Sequence, residues 1–260
     1  MKYYVVADPH GFCTVLRQTL EEAGFFTDPE PHKLIVCGDL LDRGSQAVAT
    51  VELMLSLLEQ DRLIYISGNH EDLLIRCLQD IARGEVCDIA FGSSHHRTNG
   101  TWDTLLQLSG MNKREAVDFP LELVYAVRGS DYYRRLLPVT RDFFETSRYV
   151  FCHGWIPSEM NSKRRYRYRP DWRQADGISW WQAKWLNGMD LACRDRVLVP
   201  DKTVVCGHFH TSYGHAVYEK KGDEWGKNAD FSPFCQEGIL ALDACAAHSG
   251  RINCVVLEDD

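Results

Sequence analysis

Leu34-Ile35-Val36-Cys37-Gly38-Asp39-Leu40-Leu41-Asp42-Arg43-Gly44 joins an apolar run to a turn carrying two carboxylates and a guanidinium. The run has the length and composition of a buried strand, and Gly38 marks its end. The arrangement recurs along the chain. Tyr3-Tyr4-Val5-Val6-Ala7 leads into Asp8-Pro9-His10-Gly11, Leu63-Ile64-Tyr65-Ile66 into Gly68-Asn69-His70-Glu71, Tyr149-Val150-Phe151-Cys152 into His153-Gly154, and Thr203-Val204-Val205-Cys206 into Gly207-His208-Phe209-His210. Open α/β sheets bind ligands in the crevice beyond the carboxyl ends of their strands. Five polar groups placed there predict one shared site.

Helical periodicity fills the gaps between the early strands. Val15, Leu16, Leu20 and Ala23 share a face before Gly24; Val51, Leu55 and Leu58 form a second stripe; Leu74, Leu78 and Ile81 form a third. The early chain therefore reads β-α-β-α-β-α. Later, Ala216-Val217-Tyr218, Gly238 to Leu242 and Ile252 to Leu257 read as short strands with little helix between them. The fold class is α/β.

The side chains at the strand ends are those of a two-metal hydrolytic centre. Such a centre activates water between ions ~3.5–4 Å apart, clamps a phosphate ester and neutralises charge as phosphorus is attacked in line. It needs one carboxylate that touches both ions, and Asp39 is the candidate. Oxygen and nitrogen donors together suit manganese, iron or zinc, whereas a magnesium site leans on carboxylates and water. Asp8 and His10 are two apart, so in an extended turn both point the same way, and His208 and His210 repeat the spacing. Asn69 and His70 are adjacent and diverge, which suits a ligand beside a residue facing substrate. Arg43 offers a fork of donors matched to phosphate oxygens. A histidine acid has an ordinary pKa near ~6.5, and a partner such as Asp42 favours its protonated form. Any one of these motifs alone reads more readily as a turn or a helix cap. Five in order, each after a buried strand, do not.

The Gly-Asp-x-x-Asp-Arg-Gly and Gly-Asn-His-Glu forms resemble the calcineurin-like metallophosphoesterase superfamily, and its phosphoprotein phosphatase branch in particular. The resemblance runs from residue 8 to residue 210 and implies a four-layer α-β-β-α sandwich with a helical cap insertion. It implies that Asp8, His10 and Asp39 hold one metal, that Asp39, Asn69, His153 and His208 hold the other, and that His210 adds to the first. It further implies that Arg43 binds phosphate oxygens, with Asn69 and His70 beside it, and that His70, oriented by Asp42, protonates the leaving oxygen. Asp243, after a late strand, resembles a structural aspartate of these phosphatases. Ala7 and Trp155 stand where the family commonly has glycine, and neither change removes a ligand.

The 260 residues, 45% hydrophobic, suffice for one catalytic domain spanning 1–260, with no linker or repeat to divide it. There is no signal-like leader and no apolar stretch approaching the ~20 residues of a membrane span, so the expectation is a soluble, cytoplasmic protein. The ten cysteines contain no Cys-x-x-Cys pair and read as reduced thiols.

Two insertions are expected. The first, at about 85–147, reads as the helical cap; within it, Thr98-Asn99-Gly100-Thr101-Trp102-Asp103-Thr104-Leu105 resembles a stretch of bacterial phosphoprotein phosphatases and symmetrical diadenosine tetraphosphatases. His95 and His96 just before it read as surface residues. The second, at about 158–195, holds Lys163-Arg164-Arg165-Tyr166-Arg167-Tyr168-Arg169 and then Trp172, Trp180, Trp181 and Trp185. Arg165 and Arg167, with Arg169, are candidates by charge for a second phosphate-binding cation, and basic and aromatic residues together hold phosphates and stack bases. The bland alternative is a solvated loop followed by a core helix, since Ile178, Trp181 and Trp185 have helical spacing. A formal charge of −8 argues against general duplex-DNA binding. The expected reaction is hydrolysis of phosphate monoesters with two divalent ions, manganese first, and no covalent enzyme intermediate. Phosphorylated Ser/Thr in proteins is the first substrate class and a dinucleoside polyphosphate the second; a phosphodiesterase or nuclease, and a non-catalytic phosphate-binding scaffold, come after them.

Overall fold

Alternate residues of each central strand face different neighbours, and this alternation builds the architecture. In the computed structural model, which describes residues 1–85 and 95–259, β1 (Lys2–Val6), β2 (His32–Cys37) and β3 (Leu63–Ile66) run parallel, and β11 (Cys254–Glu258) pairs antiparallel to β1. The first sheet thus has the order β11-β1-β2-β3. A second sheet has the order β4-β5-β8-β10-β9, from β4 (Phe143–Glu145), β5 (Tyr149–Cys152), β8 (Thr203–Cys206), β9 (Phe234–Gln236) and β10 (Ile239–Ala241). Its inner three strands are parallel and its edges antiparallel.

Val5, Ile35, Ile64 and Ile66 from the first sheet meet Phe151, Val205 and Leu242 from the second in one apolar layer. Their neighbours in sequence face outward. Tyr4, Leu34, Val36 and Tyr65 pack under helices, as do Val150, Val204 and Ile239 on the other side. With period 2 in every strand, each sheet buries both faces. The result is the α-β-β-α layering expected.

Helices α1 (Cys13–Glu22), α2 (Ala47–Glu59) and α3 (Asn69–Ala82) cover the first sheet. The expected stripes are the buried ones: Leu16 and Leu20, Val51 and Leu55, and Leu74, Leu78 and Ile81. The insertion after α3 is helical through α4 (His95–Thr98), α5 (Thr101–Ser109), α6 (Lys113–Asp118) and α7 (Pro120–Gly129), and residues 86–94 of the expected cap lie outside the described residues. Gly110 ends α5 in a left-handed cap, and Asn112 opens α6 by accepting the Arg114 and Glu115 amides. Trp102, Leu105, Leu123 and Val127 join the same core as α1 to α3. The insertion extends the outer helical layer, and its last residues, Phe143–Glu145, form an edge strand of the second sheet.

The second insertion forms a hairpin of β6 (Glu159–Met160) and β7 (Tyr166–Arg167), then α8 (Gly177–Ala183), capped by the Asp176 carboxylate on the Ser179 amide. Two expectations fail here. The Ile178, Trp181 and Trp185 stripe is exposed, because Trp180 on another face of α8 stacks on Phe143 at 5.1 Å and meets buried Trp172. Ala216-Val217-Tyr218 is helical, continuing α9 (Thr211–Gly214) as a π turn to Glu219. A short apolar run does not tell strand from helix, and a His215–Glu219 contact of 3.0 Å supports the helical form. No described helix is long and apolar enough to cross a membrane.

Phe151 sits fully buried between the sheets, its ring 5.9 Å from Phe144 and 6.1 Å from Tyr3. Phe151→Ala should lower the free energy of unfolding by ~3–5 kcal/mol in urea titration; a loss under ~1 kcal/mol would mean that this layer is not the packed centre of the fold.

Candidate metal centre

All five polar groups emerge at the carboxyl ends of parallel strands: Asp8 after β1, Asp39 after β2, Asn69 after β3, His153 after β5 and His208 after β8. The backbone there is strained. Asp8 (φ 53°), His10 (47°), Asp39 (53°), Asp42 (76°), Arg43 (63°) and His208 (67°) are all left-handed, a conformation non-glycine residues hold only where surroundings impose it. Gly38, at φ +83°, brings the β2 loop so close to β5 that a Cβ there would lie 2.5 Å from His153 Nδ1.

Asp39 is the common member of two groups of ligating atoms, one with His10 and His70, the other with His153 and His208. Its oxygens divide between them. Oδ2 lies 3.8 Å from His10 Nε2 and 3.7 Å from His70 Nε2; Oδ1 lies 3.3 Å from His153 Nε2 and accepts the His70 amide at 3.0 Å. Asn69 Oδ1 completes the second group's surroundings, 2.8 Å from His153 Nε2.

Proton placement gives these atoms a need. His10 Nδ1–H donates to the Leu41 carbonyl (3.0 Å) and His153 Nδ1–H to the Cys37 carbonyl (2.8 Å), which leaves Nε2 of each ring as the inward-facing nitrogen. A lone pair facing a carboxylate oxygen is favourable only with a cation between them. Burial, aided by the Arg43 charge, holds His10 well below the ordinary histidine range, and burial with His153 nearby pushes His208 down to about 3. Burial would raise Asp39, but positive charge placed on the surrounding imidazoles, His153 first, outweighs it and lowers the carboxyl, as a cation held among them would. Asp8 is pushed well up by burial and then by the Asp243 and Asp39 charges. Neutral imidazoles around crowded buried carboxylates are a donor set that divalent metal ions satisfy.

His70 differs. Burial pulls it down, yet Asp39 and then Asp42 more than offset this, so its pKa is raised. Its Nδ1 is 2.6 Å from Asp42 Oδ2, which orients the ring as expected. Arg43 reaches the same place, with Nη1 2.8 Å from His10 Nε2 and Nη2 3.2 Å from His70 Nε2.

Other candidates stand elsewhere. Asp8 spends both oxygens on the His208 amide (3.1 and 3.0 Å), beside the cluster. His210 belongs to neither group: its Nε2 faces Glu224 at 2.9 Å and its ring lies 4.3 Å from Trp225. Burial raises the pKa of Asp243, opposed in part by the Cys245 amide that its carboxylate accepts at 2.7 Å and by the Arg43 charge. Arg165 pairs with Asp195 (2.9 Å) and Arg169 with Asp171, so much of the basic run's charge is compensated locally; Arg167 is exposed on β7. His96 is buried, contrary to expectation, with Nε2 3.1 Å from Asp80; the side chain of His95 lies outside the described residues.

Three supports went unassigned in the sequence. Buried Glu71 accepts from the Tyr65 hydroxyl (2.6 Å) and the Gly68, Asp39 and Leu40 amides (2.5, 3.1 and 3.1 Å). Its place three residues after Gly68, where a helix-capping carboxylate stands, was the available signal. Thr101 Oγ1–H donates to Asp42 Oδ2 (2.7 Å), and the Asp42 amide donates to Thr104 Oγ1 (3.1 Å). Gly100 lies so close that a Cβ would be 2.3 Å from the Arg43 nitrogen. The Thr98–Leu105 stretch thus braces the Asp42-Arg43 turn. The backbone of Trp185, which hydrogen-bonds His208, left no side-chain signal.

A family model of calcineurin-like phosphoesterases matches residues 1–238. The chain belongs to that family. Membership makes it a hydrolase of phosphoester bonds and implies divalent metal ions. An asymmetrical bis(5'-nucleosyl)-tetraphosphatase of Geobacillus sp. (strain WCH70) is 35% identical over 82 residues, 29% of this chain and 34% of that protein. The same-named enzyme of Oceanobacillus iheyensis is 27% identical over 173 residues, 64% of this chain and 61% of its own length. Serine/threonine-protein phosphatase 1 of Salmonella typhimurium is 35% identical over 72 residues, 28% of this chain and 31% of that one. The match therefore spans about a third of the first of these relatives. Among solved structures, a cold-active protein tyrosine phosphatase superposes with TM-score 0.52 at 14% identity over 99% of this chain and 73% of its own, a likeness of fold.

Glu71→Gln replaces one acceptor oxygen by a donor amide amid four inward-facing donors. Unfolding free energy should fall by ~1–3 kcal/mol, and manganese affinity by about 10–100-fold, in denaturant titration and calorimetry. Unchanged values in both would remove Glu71 from the support of this phosphoesterase centre.

Proposed function

We propose that the chain is a two-manganese phosphohydrolase that passes a phosphoryl group directly to water, with a dinucleoside polyphosphate as its first substrate class. The observation carrying the reaction is the division of the Asp39 oxygens between two groups of imidazoles. Asp8, His10 and Asp39 would hold one ion, and Asp39, Asn69, His153 and His208 the other. When bound, the ions supply Lewis-acid neutralisation of phosphate charge and activation of water. His210, turned to Glu224, is left out of this set. A nucleotide takes precedence over the phosphoprotein that the motifs suggest because the relative matched over 64% of this chain is named a tetraphosphatase. The phosphoprotein reading keeps the support of the Salmonella relative.

The chain's own residues then divide the work. Arg43, whose guanidinium already lies between His10 and His70, turns its fork to phosphate oxygens. His70 carries on Nε2 the proton that the leaving oxygen takes up, with Nδ1–H held by Asp42 and Asp42 held by Thr101. The raised pKa of His70 keeps that proton available, whereas His10 and His208 are kept neutral to act as donors.

His70→Asn should lower kcat on diadenosine tetraphosphate by about 10²–10⁴-fold while calorimetry still counts both manganese ions. Loss of an ion in that variant would make His70 a ligand and overturn the division. Thr101→Val should slow hydrolysis of substrates with poor leaving groups by about tenfold and leave an activated aryl phosphate nearly unchanged; equal loss on both would separate Thr101 and Asp42 from proton donation.

A further inference from the structure

Beside the metal centre lies a cavity of about 660 Å³ whose walls serve no step described so far. It opens between the β6–β7 hairpin and α8, with Trp181, Trp185, Tyr166 and Met160 among its apolar lining and Arg76 and Arg169 as its cations. Its size is that of a small-molecule site. Trp181 on α8 and Trp185 in the turn after it leave 46% and 37% of their surface exposed. Indoles offer broad π faces, and an exposed pair beside a cavity is a surface built to be covered.

Charge narrows what covers it. Among the described residues no carboxylate lines the cavity, although the whole chain carries a formal charge of −8. Arg169 is held by Asp171, whereas Arg76, exposed on the same helix that begins at Asn69, makes no ion pair among the described residues. One wall of the cavity also touches the centre. The Trp185 indole lies edge-on 5.9 Å from the His208 ring, and the Trp185 backbone hydrogen-bonds that ring. Trp185 is thus shared between the cavity wall and the surroundings of His208.

We propose that this cavity is the nucleoside subsite, in which a purine base stacks on Trp181 and Trp185 while Arg76 takes the charge of a phosphate outside the metal centre. This rests on the nucleotide reading above and says where that substrate's base goes. Flat aromatic walls recognise the π face that every base presents, and the lone arginine matches an anionic chain joined to it. The Arg165-Tyr166-Arg167 run enters only through Tyr166.

The test is Trp181→Ala, with Trp181→Phe as the conservative partner, assayed with manganese on diadenosine tetraphosphate, inorganic tripolyphosphate and a phosphoserine peptide. Adenosine binding by saturation-transfer NMR on metal-free protein is read in parallel. Trp181→Ala should raise KM for diadenosine tetraphosphate about tenfold or more, leave tripolyphosphate and peptide within twofold, and lose the adenosine signal; Trp181→Phe should keep most of both. An equal effect on tripolyphosphate, no effect on diadenosine tetraphosphate, or a selective loss on the peptide would each overturn the subsite. If wild-type protein hydrolyses none of the three, the proposed reaction fails by itself, and loss of adenosine binding in Trp181→Ala still supports the cavity.

Discussion

The centre depends on one buried carboxylate that touches no proposed substrate. Glu71 gathers three amides from two loops and the Tyr65 hydroxyl from β3, binding the turn after β2 to the turn after β3 at the point where Asp39 and Asn69 project. Both turns are costly alone. Asp39 is left-handed, and the Gly38 and Gly68 backbones are in near contact. Strain of ~1–3 kcal/mol per such residue persists only where neighbours over-determine the backbone. Glu71 does this from below, Thr101 and Thr104 do it for Asp42 from the side, and the two-sheet core holds the strand ends that carry all of them.

Electrostatics then assigns different work to similar side chains. His10, His70 and half-buried His208 all lie near Asp39, yet desolvation wins for His10 and His208 and carboxylates win for His70. The neighbours account for the split between the first two: Asp39 and then Asp42 raise His70 against burial, whereas the Arg43 charge adds to burial in lowering His10. The crowding of Asp8, Asp39 and Asp243 costs the fold stability that divalent cations would return.

Much of this was legible because strands announce themselves by apolar runs and polar residues just beyond them have few structural reasons to be there. Asp39, His10, His153 and His208 converge as their strand-end positions imply. His210 did not follow, since the chain enters α9 directly after it and Glu224 and Trp225 take its ring; that contact joins residues far apart in sequence. Trp181 and Trp185 had the spacing of a core stripe, and only the packing of Trp180 on Phe143 shows that a different face of α8 is buried. Glu71 and Thr101 lay inside motifs already singled out, but their roles are hydrogen bonds to backbone and to a second side chain, which residue type does not reveal.

The central claim is that Asp39 joins two metal ions into one centre. Manganese stoichiometry by titration calorimetry, on metal-stripped wild-type protein and on Asp39→Asn, tests it most directly. The account predicts two ions per wild-type chain and loss of tight binding at both sites in the variant, because both share that carboxylate. Two ions still bound tightly to Asp39→Asn, or a single ion in the wild type, would contradict it.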